Sequence, residues 1–396
     1  MLIPRPIHPF PARMAPEVVL NVCTGLRAGA TVLDPMSGSG TVLRMAAEQG
    51  HQAYGFDVDP LAVLMAKVWT TPLDAGELIE AGERLVAKAK GLCARDIALP
   101  WIDGDKETKA FVGFWFGREQ RADLRRLSFL LAEQEGAEAN ALRIALSRLV
   151  ITKDKGASLA ADVSHSRPHR VMQDGENDFR VLPMFRRSVR AVATRLAADR
   201  LQAKVEVKRG DARRMGDVPD ASISAIVTSP PYLNAIDYLR GHRMALVWLG
   251  HRLSGLRSIR SASVGAERAP DAEADEAIAK ELTAGVDPGR KLESRRRRMV
   301  DRYAIDMNAM LMEAYRVLEP GGKAVLVVGD STHRGVYVEN TAIVKAAGER
   351  NGFAVVSEKS RDIPPSRRYL PPPSNEEAST LKRRMRKETI LTLVKA

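Results

Sequence analysis

Residues 30–41 read Ala30-Thr31-Val32-Leu33-Asp34-Pro35-Met36-Ser37-Gly38-Ser39-Gly40-Thr41. The short aliphatic run predicts a buried strand, and Pro35 with the pair Gly38 and Gly40 ends it in a tight turn. Thr41 to Gln49 then predicts a helix. Glycines there let the backbone come close to a ligand, and the first turn of the helix offers N–H groups with no intrahelical partner. The spacing is not G-x-G-x-x-G, which lowers the dinucleotide-binding reading. Alone, such a turn is equally a plain strand-to-helix connection.

Working outward, Pro16 to Leu26 carries Val18, Val19, Val22 and Leu26 at helical spacing, with Pro16 suited to a first turn. Tyr54-Gly55-Phe56-Asp57 predicts a second strand that ends in an acid. Strand, glycine turn, helix, strand and acid together open a doubly wound α/β sheet. Strand patterning returns at Ala203 to Val207, Ile223 to Thr228, Lys323 to Val328, Phe353 to Glu358 and Thr389 to Val394. Residues 1–75 and 201–396 therefore read as two parts of one core. Between them, residues 76–200 follow helical periodicity, clearest over Phe111 to Glu135 and Ala139 to Ile151, and form a helical insertion. A basic loop over 252–298 closes with the run Arg295 to Arg298, readable as a solvated helix face or mobile loop, or as a phosphate-contacting loop.

The chain has 396 residues, 45% of them hydrophobic, enough for a large core in one elaborated domain or two. A formal net charge of +12 favours a polyanionic partner, because clustered Lys and Arg displace counterions from phosphates. Cys23 and Cys93 are the only cysteines, too few for a disulfide framework or a four-thiolate zinc site. No apolar run approaches the ~20 residues of a membrane span, and Pro4 and Pro6 interrupt the start before a secretion signal could form. A cytoplasmic location is expected.

Three strand ends carry candidate ligand groups. Asp57 stands 17 residues after Gly40, where a carboxylate can accept both hydroxyls of a ribose, although a helix-capping acid would look the same. Asp211, in Arg209-Gly210-Asp211-Ala212-Arg213, could accept from an adenine amino group. With the glycine turn, the two acids outline an adenosine-shaped crevice.

The fourth segment, Thr228-Ser229-Pro230-Pro231-Tyr232, follows the strand Ile223 to Val227. An exocyclic amine is a poor nucleophile because its lone pair is delocalised into the ring. Acceptors for both amino hydrogens push the nitrogen toward sp3 geometry, and Ser229 Oγ with the Pro230 carbonyl can be those acceptors. The prolines fix the backbone, and Tyr232 can stack on a base lifted from its helix.

Asp34 to Thr41 resembles the D-P-F-x-G-S-G-T cofactor motif, and Thr228 to Tyr232 the T-S-P-P-Y catalytic motif, of amino-methylating DNA methyltransferases. Upstream, His8-Pro9-Phe10-Pro11-Ala12-Arg13-Met14 is similar to the segment that lies over the cofactor in that family. The resemblance covers about residues 7–70 and 203–395. It implies a Rossmann-like class I methyltransferase fold, a seven-stranded mixed sheet whose last strand is antiparallel, with S-adenosyl-L-methionine as cofactor. It places cofactor contacts on Phe10, Asp34, Pro35, Ser37, Gly38, Gly40, Thr41, Asp57 and Asp211, and catalytic roles on Ser229, Pro230, Pro231 and Tyr232. Met36 departs from the usual Phe, and the helical insertion is unusual.

The serine form of the motif leans toward cytosine N4, with adenine N6 as the alternative. Cytosine C5 chemistry needs a cysteine near the catalytic proline, which neither Cys23 nor Cys93 supplies. DNA is the expected partner, as in restriction–modification, with RNA as a second possibility and a silent nucleic-acid-binding module as the non-enzymatic one. Arg121, Arg125, Arg126, Arg143 and Arg148, then Arg167, His169 and Arg170, suggest that the insertion reads the target, helped by Arg295 and Arg296, with a structural lid or dimer surface as the alternative. A metal on His165 and His169 is disfavoured, because Pro168 lies between them and no cysteine is near. Oligomeric state has no signal in the sequence.

Overall fold

A computed structural model describes residues 5–9, 13–150, 152, 155–161, 168–197, 201–233, 238–264, 273–284, 294–333, 336–363 and 387–396. Seven strands form one mixed sheet: β1 (Thr31–Asp34), β2 (Gln52–Asp57), β3 (Val205–Arg209), β4 (Ile223–Thr228), β5 (Leu318–Val328), β6 (Phe353–Asp362) and β7 (Lys387–Lys395). Their spatial order is β6-β7-β5-β4-β1-β2-β3. β1 pairs in parallel with β2 and β4, β2 with β3, and β4 with β5. β7 runs antiparallel to both β5 and β6. This is the Rossmann-like class I methyltransferase topology that the motifs implied. The strand order reverses at β1, and in an open α/β sheet such a switch point opens a crevice at the carboxyl ends of the strands.

The chain divides into two compact units, one of them Ala12–Val58, Leu201–Ile236 and Ser261–Ala396. It contains the whole sheet. Alternation along β5 explains how the sheet is covered on both faces. Val325 and Val327 pack with Ala15 and Val18, at the start of the helix Pro16–Cys23. Ala324, Leu326 and Val328 join the opposite cluster, with Tyr303, Met307 and Leu311 of the helix Ser294–Val317 and Ile343, Val344 and Ala347 of the helix Asn340–Arg350. Each fully buried side chain of this size contributes roughly 1.5–3 kcal/mol. The helix Thr41–Glu48 is buried along its entire length. It presses so close to β2 that a Cβ on Gly55 would collide with Leu43 Cδ1.

The second unit, Met1–Pro11, Asp59–Arg200 and Asp237–Arg260, is mainly helical, with Trp69, Phe116, Phe185 and Trp248 in its core. A single helix over Phe111 to Glu135 does not form. The chain makes two, Lys106–Trp115 and Arg118–Ala132, broken at the buried Phe116 and at Gly117. A Cβ on Gly117 would stand 2.5 Å from Gln120 Oε1, so the chain at the break passes close to the Gln120 side chain, which would have to shift for a longer residue. Residues 160–161 and 169–170 also pair as a short antiparallel hairpin inside this otherwise helical stretch.

The basic stretch 252–298, read as a solvated helix face or a loop, is helical where it is described. Its described parts are the helices Leu253–Ala262 and Glu273–Thr283 and the beginning of Ser294–Val317. Leu253, Leu256, Ala279 and Leu282 are buried, which gives these charged segments the apolar face a helix needs. No helix among the described residues is long and apolar enough to cross a membrane.

Candidate functional site

The turn after β1 is held by groups at the end of β2. Ser37 N donates to the Phe56 carbonyl at 2.8 Å, and Gly38 N donates to Asp57 Oδ2 at 2.8 Å. Gly38 and Gly40 have φ of 50° and 86°, the left-handed region in which a side chain is strained. Gly40 then starts the helix Thr41–Glu48 with no side-chain cap. The hydroxyls of Ser37 and Thr41 are buried and have no hydrogen-bond partner. Unpaired buried hydroxyls cost free energy, so these two are available for a polar ligand seated on the turn.

Asp34 is 3% exposed and points toward β4. It accepts from Thr228 Oγ1 at 2.7 Å and from Met36 N at 3.1 Å. Burial raises its carboxyl pKa to about 7 against the pull of those two bonds, and the nearby charge of Asp57 adds to the rise. Pro35 is buried beside it. Asp34 therefore links the glycine turn to the strand that carries the second motif.

Asp211 follows β3 and is clamped by a neighbour. Arg213 donates through Nε to Asp211 Oδ1 at 2.9 Å and through Nη2 to Oδ2 at 2.6 Å, and it reaches Asp306 at 2.6 Å. Burial alone would raise the Asp211 pKa, but the Arg213 hydrogen bonds and charge outweigh it and hold the carboxyl below the usual range. Asp211 is thus tied to the helix Ser294–Val317, and any adenine contact would share a carboxylate already engaged by a guanidinium.

Ser229, Pro230, Pro231 and Tyr232 leave the end of β4. Ser229 Oγ donates to the Val327 carbonyl of β5 at 3.1 Å and lies 3.4 Å from the Tyr232 hydroxyl. The Tyr232 hydroxyl donates to Glu388 Oε2 of β7 at 3.5 Å, and Glu388 is ion-paired with Arg361 of β6 at 2.5 Å. Burial, reinforced by the Glu388 charge, pushes the phenol pKa well above its ordinary value. The loop's far end is tied as well: Ser331 Oγ donates to the Leu233 carbonyl, and Asn340 Nδ2 donates to Ser331 Oγ and to the Gly329 carbonyl, each at 2.8 Å.

The structure thus brings Asp34, Pro35, Ser37, Gly38, Gly40, Thr41, Asp57, Ser229, Pro230, Pro231 and Tyr232 to the carboxyl ends of three adjacent strands, β2, β1 and β4, with Asp211 at the next strand end. Sequence reasoning missed Arg213, Asp306, Glu388, Arg361 and Asn340. Asp306, Glu388 and Asn340 lie 93, 156 and 9 residues from the groups they engage in these bonds, and none belongs to a motif.

Phe10 and Arg167 lie outside the described residues. His169 and Arg170 are exposed in the short hairpin of the helical unit, where Arg170 lies 4.7 Å over the Phe114 ring. Arg295 and Arg296 begin the helix Ser294–Val317, and their side chains lie outside the description. The helical arginines are engaged within their own unit. Arg125 donates to the Ile97 carbonyl and pairs with Asp103, Arg126 donates to the Leu92 carbonyl and pairs with Asp123, and Arg121 pairs with Asp174. Arg143 donates to the Leu131 carbonyl and Arg148 to that of Ile7. These five tie their helices to neighbouring helices, turns and the N-terminal segment.

No protein-family model matches the chain. It is 27% identical over 121 residues to the type II methyltransferase M.MvaI of Kocuria varians, an alignment covering 28% of this chain and 26% of that protein. The chain therefore spans about a quarter of that curated relative's length. Among solved structures, it resembles a TehB-like SAM-dependent methyltransferase from Corynebacterium glutamicum at TM-score 0.31 and 10% identity, over 96% of this chain and 87% of the other. It also resembles a Thermus thermophilus protein described as a DNA modification methylase at TM-score 0.24 and 20% identity, over 47% of this chain and 50% of that one. The fold identification rests on the strand order and directions given above.

Proposed function

We propose that the chain binds S-adenosyl-L-methionine and transfers its methyl group to an exocyclic amino group of a nucleic-acid base, cytosine N4 in DNA being the expected target. The observation that carries this reading is the adjacency, at the ends of β1 and β4, of a glycine turn bearing two unpartnered buried hydroxyls and a Ser-Pro-Pro-Tyr loop whose serine hydrogen is already given to a carbonyl. The turn fits the cofactor: its glycines leave room for close approach, Ser37 and Thr41 need polar partners, and Asp57 stands at the neighbouring strand end where a ribose would lie. When bound, the cofactor supplies an electrophilic methyl group.

The protein's own residues do the remaining work. Ser229 gives its hydrogen to Val327, so its lone pairs face outward as acceptors. With the Pro230 carbonyl, they accept hydrogen bonds from the two amino hydrogens and draw the nitrogen lone pair out of the ring, and one of those hydrogens leaves as a proton when the nitrogen–methyl bond forms. The ring of Tyr232 stacks on the flipped base. Similarity of a quarter of the chain to a type II methyltransferase supports nucleic acid as the substrate class.

The test is incubation with labelled S-adenosylmethionine and separate DNA and RNA pools, followed by mass spectrometry of the nucleosides. N4-methylcytosine in DNA is the expected product. N6-methyladenine or a modified RNA base would move the target, and cofactor binding without transfer to either pool would leave a silent binding module.

A further inference from the structure

The catalytic loop has two hydroxyls and therefore two hydroxyl hydrogens. Ser229 directs its own to the Val327 carbonyl. The Tyr232 hydrogen has two acceptors within reach, Ser229 Oγ at 3.4 Å and Glu388 Oε2 at 3.5 Å. A carboxylate is the stronger acceptor, and this one is ion-paired through its other oxygen, Oε1, with Arg361, whose Nε stands 2.5 Å away directly across the β6–β7 ladder. The side chain of Glu388 is 12% exposed, so water offers the phenol little competition. The phenol hydrogen therefore goes to Glu388, and Tyr232 does not fill a lone pair on Ser229.

We propose that Glu388 is a positioning residue that sets the direction of the hydrogen bonds in the Ser229–Tyr232 loop, keeping Ser229 Oγ free to accept the amino hydrogen of the target base. This inference rests on the amino-methyltransferase reading. Without the carboxylate, Tyr232 turns its hydrogen to Ser229 and occupies a lone pair that the amine needs. Glutamine reverses the chain: with its amide oxygen turned to the Arg361 charge, the amide Nε2 donates to the Tyr232 oxygen, and the phenol hydrogen is driven to Ser229.

Glu388→Gln is the test, read by single-turnover transfer of labelled methyl to the DNA and RNA pools alongside cofactor affinity. The expected result is a drop on the order of 10-fold or more in transfer rate, the worth of one hydrogen bond, with cofactor affinity unchanged. In a Tyr232→Phe background, which lacks the hydroxyl, the same substitution should have no further effect, whereas a merely structural role of Glu388 would persist there. Glu388→Asp, which keeps the charge, should recover part of the rate and serves if the glutamine variant folds poorly.

A second readout needs no activity. A phenol donating to a carboxylate absorbs at the long-wavelength edge of the tyrosine band, so Glu388→Gln should shift one tyrosine to the blue, and the same substitution in Tyr232→Phe should give a flat difference spectrum. A wild-type protein that methylates neither pool would overturn the parent reading while the spectrum still judges this one. Full transfer by Glu388→Gln, an equal loss in the Tyr232→Phe background, or a flat spectrum with Tyr232 present would overturn the inference.

Discussion

Thr228 Oγ1 donates to Asp34 Oδ1 at 2.7 Å, and this bond joins the last residue of β4 to the last residue of β1 across 194 positions of sequence. The glycine turn and the Ser-Pro-Pro-Tyr loop meet through it. Both residues are buried, Thr228 at 0% and Asp34 at 3% exposure, so neither can turn to water if the other is removed.

Thr228→Val keeps the shape and removes the donor. It should destabilise the fold by about 1–3 kcal/mol, because a buried carboxyl oxygen loses a partner, and Thr228→Ser should restore most of that. Denaturant unfolding of the three proteins measures it. Equal stability of the valine variant would mean that the bond contributes nothing.

Asp34 keeps its proton in the fold up to about pH 7, while in the unfolded chain it releases it near ~3.9. Between these values the folded state binds more protons, so its contribution makes stability fall as pH rises through that window. Asp34→Asn preserves an oxygen for Thr228 and Met36 and removes the titration. The slope of unfolding free energy between about pH 4 and pH 7 should rise toward zero or above relative to wild type, a difference of a few kcal/mol in order of magnitude across the window. Parallel profiles would place the Asp34 pKa at its ordinary value.

Asp57→Ala should weaken cofactor binding by roughly 1.5–3 kcal/mol per lost charge-assisted bond. The same change frees Gly38 N, so the glycine turn loosens as well. Calorimetry with S-adenosylmethionine checks it, and unchanged affinity in a folded variant would remove Asp57 from the site.

Ser229→Ala and Tyr232→Ala should slow methyl transfer far more than they weaken cofactor binding, since in the proposed function both act on the target base. Loss of one stacked base is worth roughly 1–3 kcal/mol. Retention of full activity on duplex DNA by Tyr232→Ala would contradict the flipped-base role.

Arginines in the helical unit should separate into two groups. Burial, reinforced by the nearby Arg195 charge, lowers the Arg148 pKa to about 10, and the side chain donates to a backbone carbonyl, so Arg148→Ala should lower thermal stability. Arg170 is exposed, and Arg170→Ala should leave stability alone while flattening the salt dependence of nucleic-acid binding by about one unit of slope if it contacts a phosphate. Identical salt slopes for Arg170→Ala and wild type would move recognition away from the hairpin.

Strands were legible because apolar runs such as Ile223–Val227 are dictated by burial on both faces, a local property of the sequence. The glycine turn and the Ser-Pro-Pro-Tyr loop were legible for a related reason: their chemistry sits in contiguous residues whose backbone conformation is set by Gly and Pro. The helix break at Gly117 was not, because the apolar period continues through it and the reason for the break lies partly in Asp174, which accepts from Arg118 N at 2.9 Å. In the charged stretch 252–298 the sequence left helix face and loop undecided, since its few buried positions, such as Leu256 and Leu282, are too sparse to stand out against its arginines.

By itself, the sequence determined the doubly wound sheet, the position of the glycine turn and the Ser-Pro-Pro-Tyr loop at the end of β4, because each depends on short-range patterns of burial, Gly and Pro. Tertiary structure alone decided which groups those residues engage. Arg213 closes on Asp211 and anchors it to Asp306, Asp34 is driven to hold its proton by burial beneath Thr228, and Glu388 reaches Tyr232 from the last strand. Hydrogen bonds and pKa shifts depend on distance and dielectric environment, and these come from strands brought together across the sheet, which a linear pattern of residues does not encode.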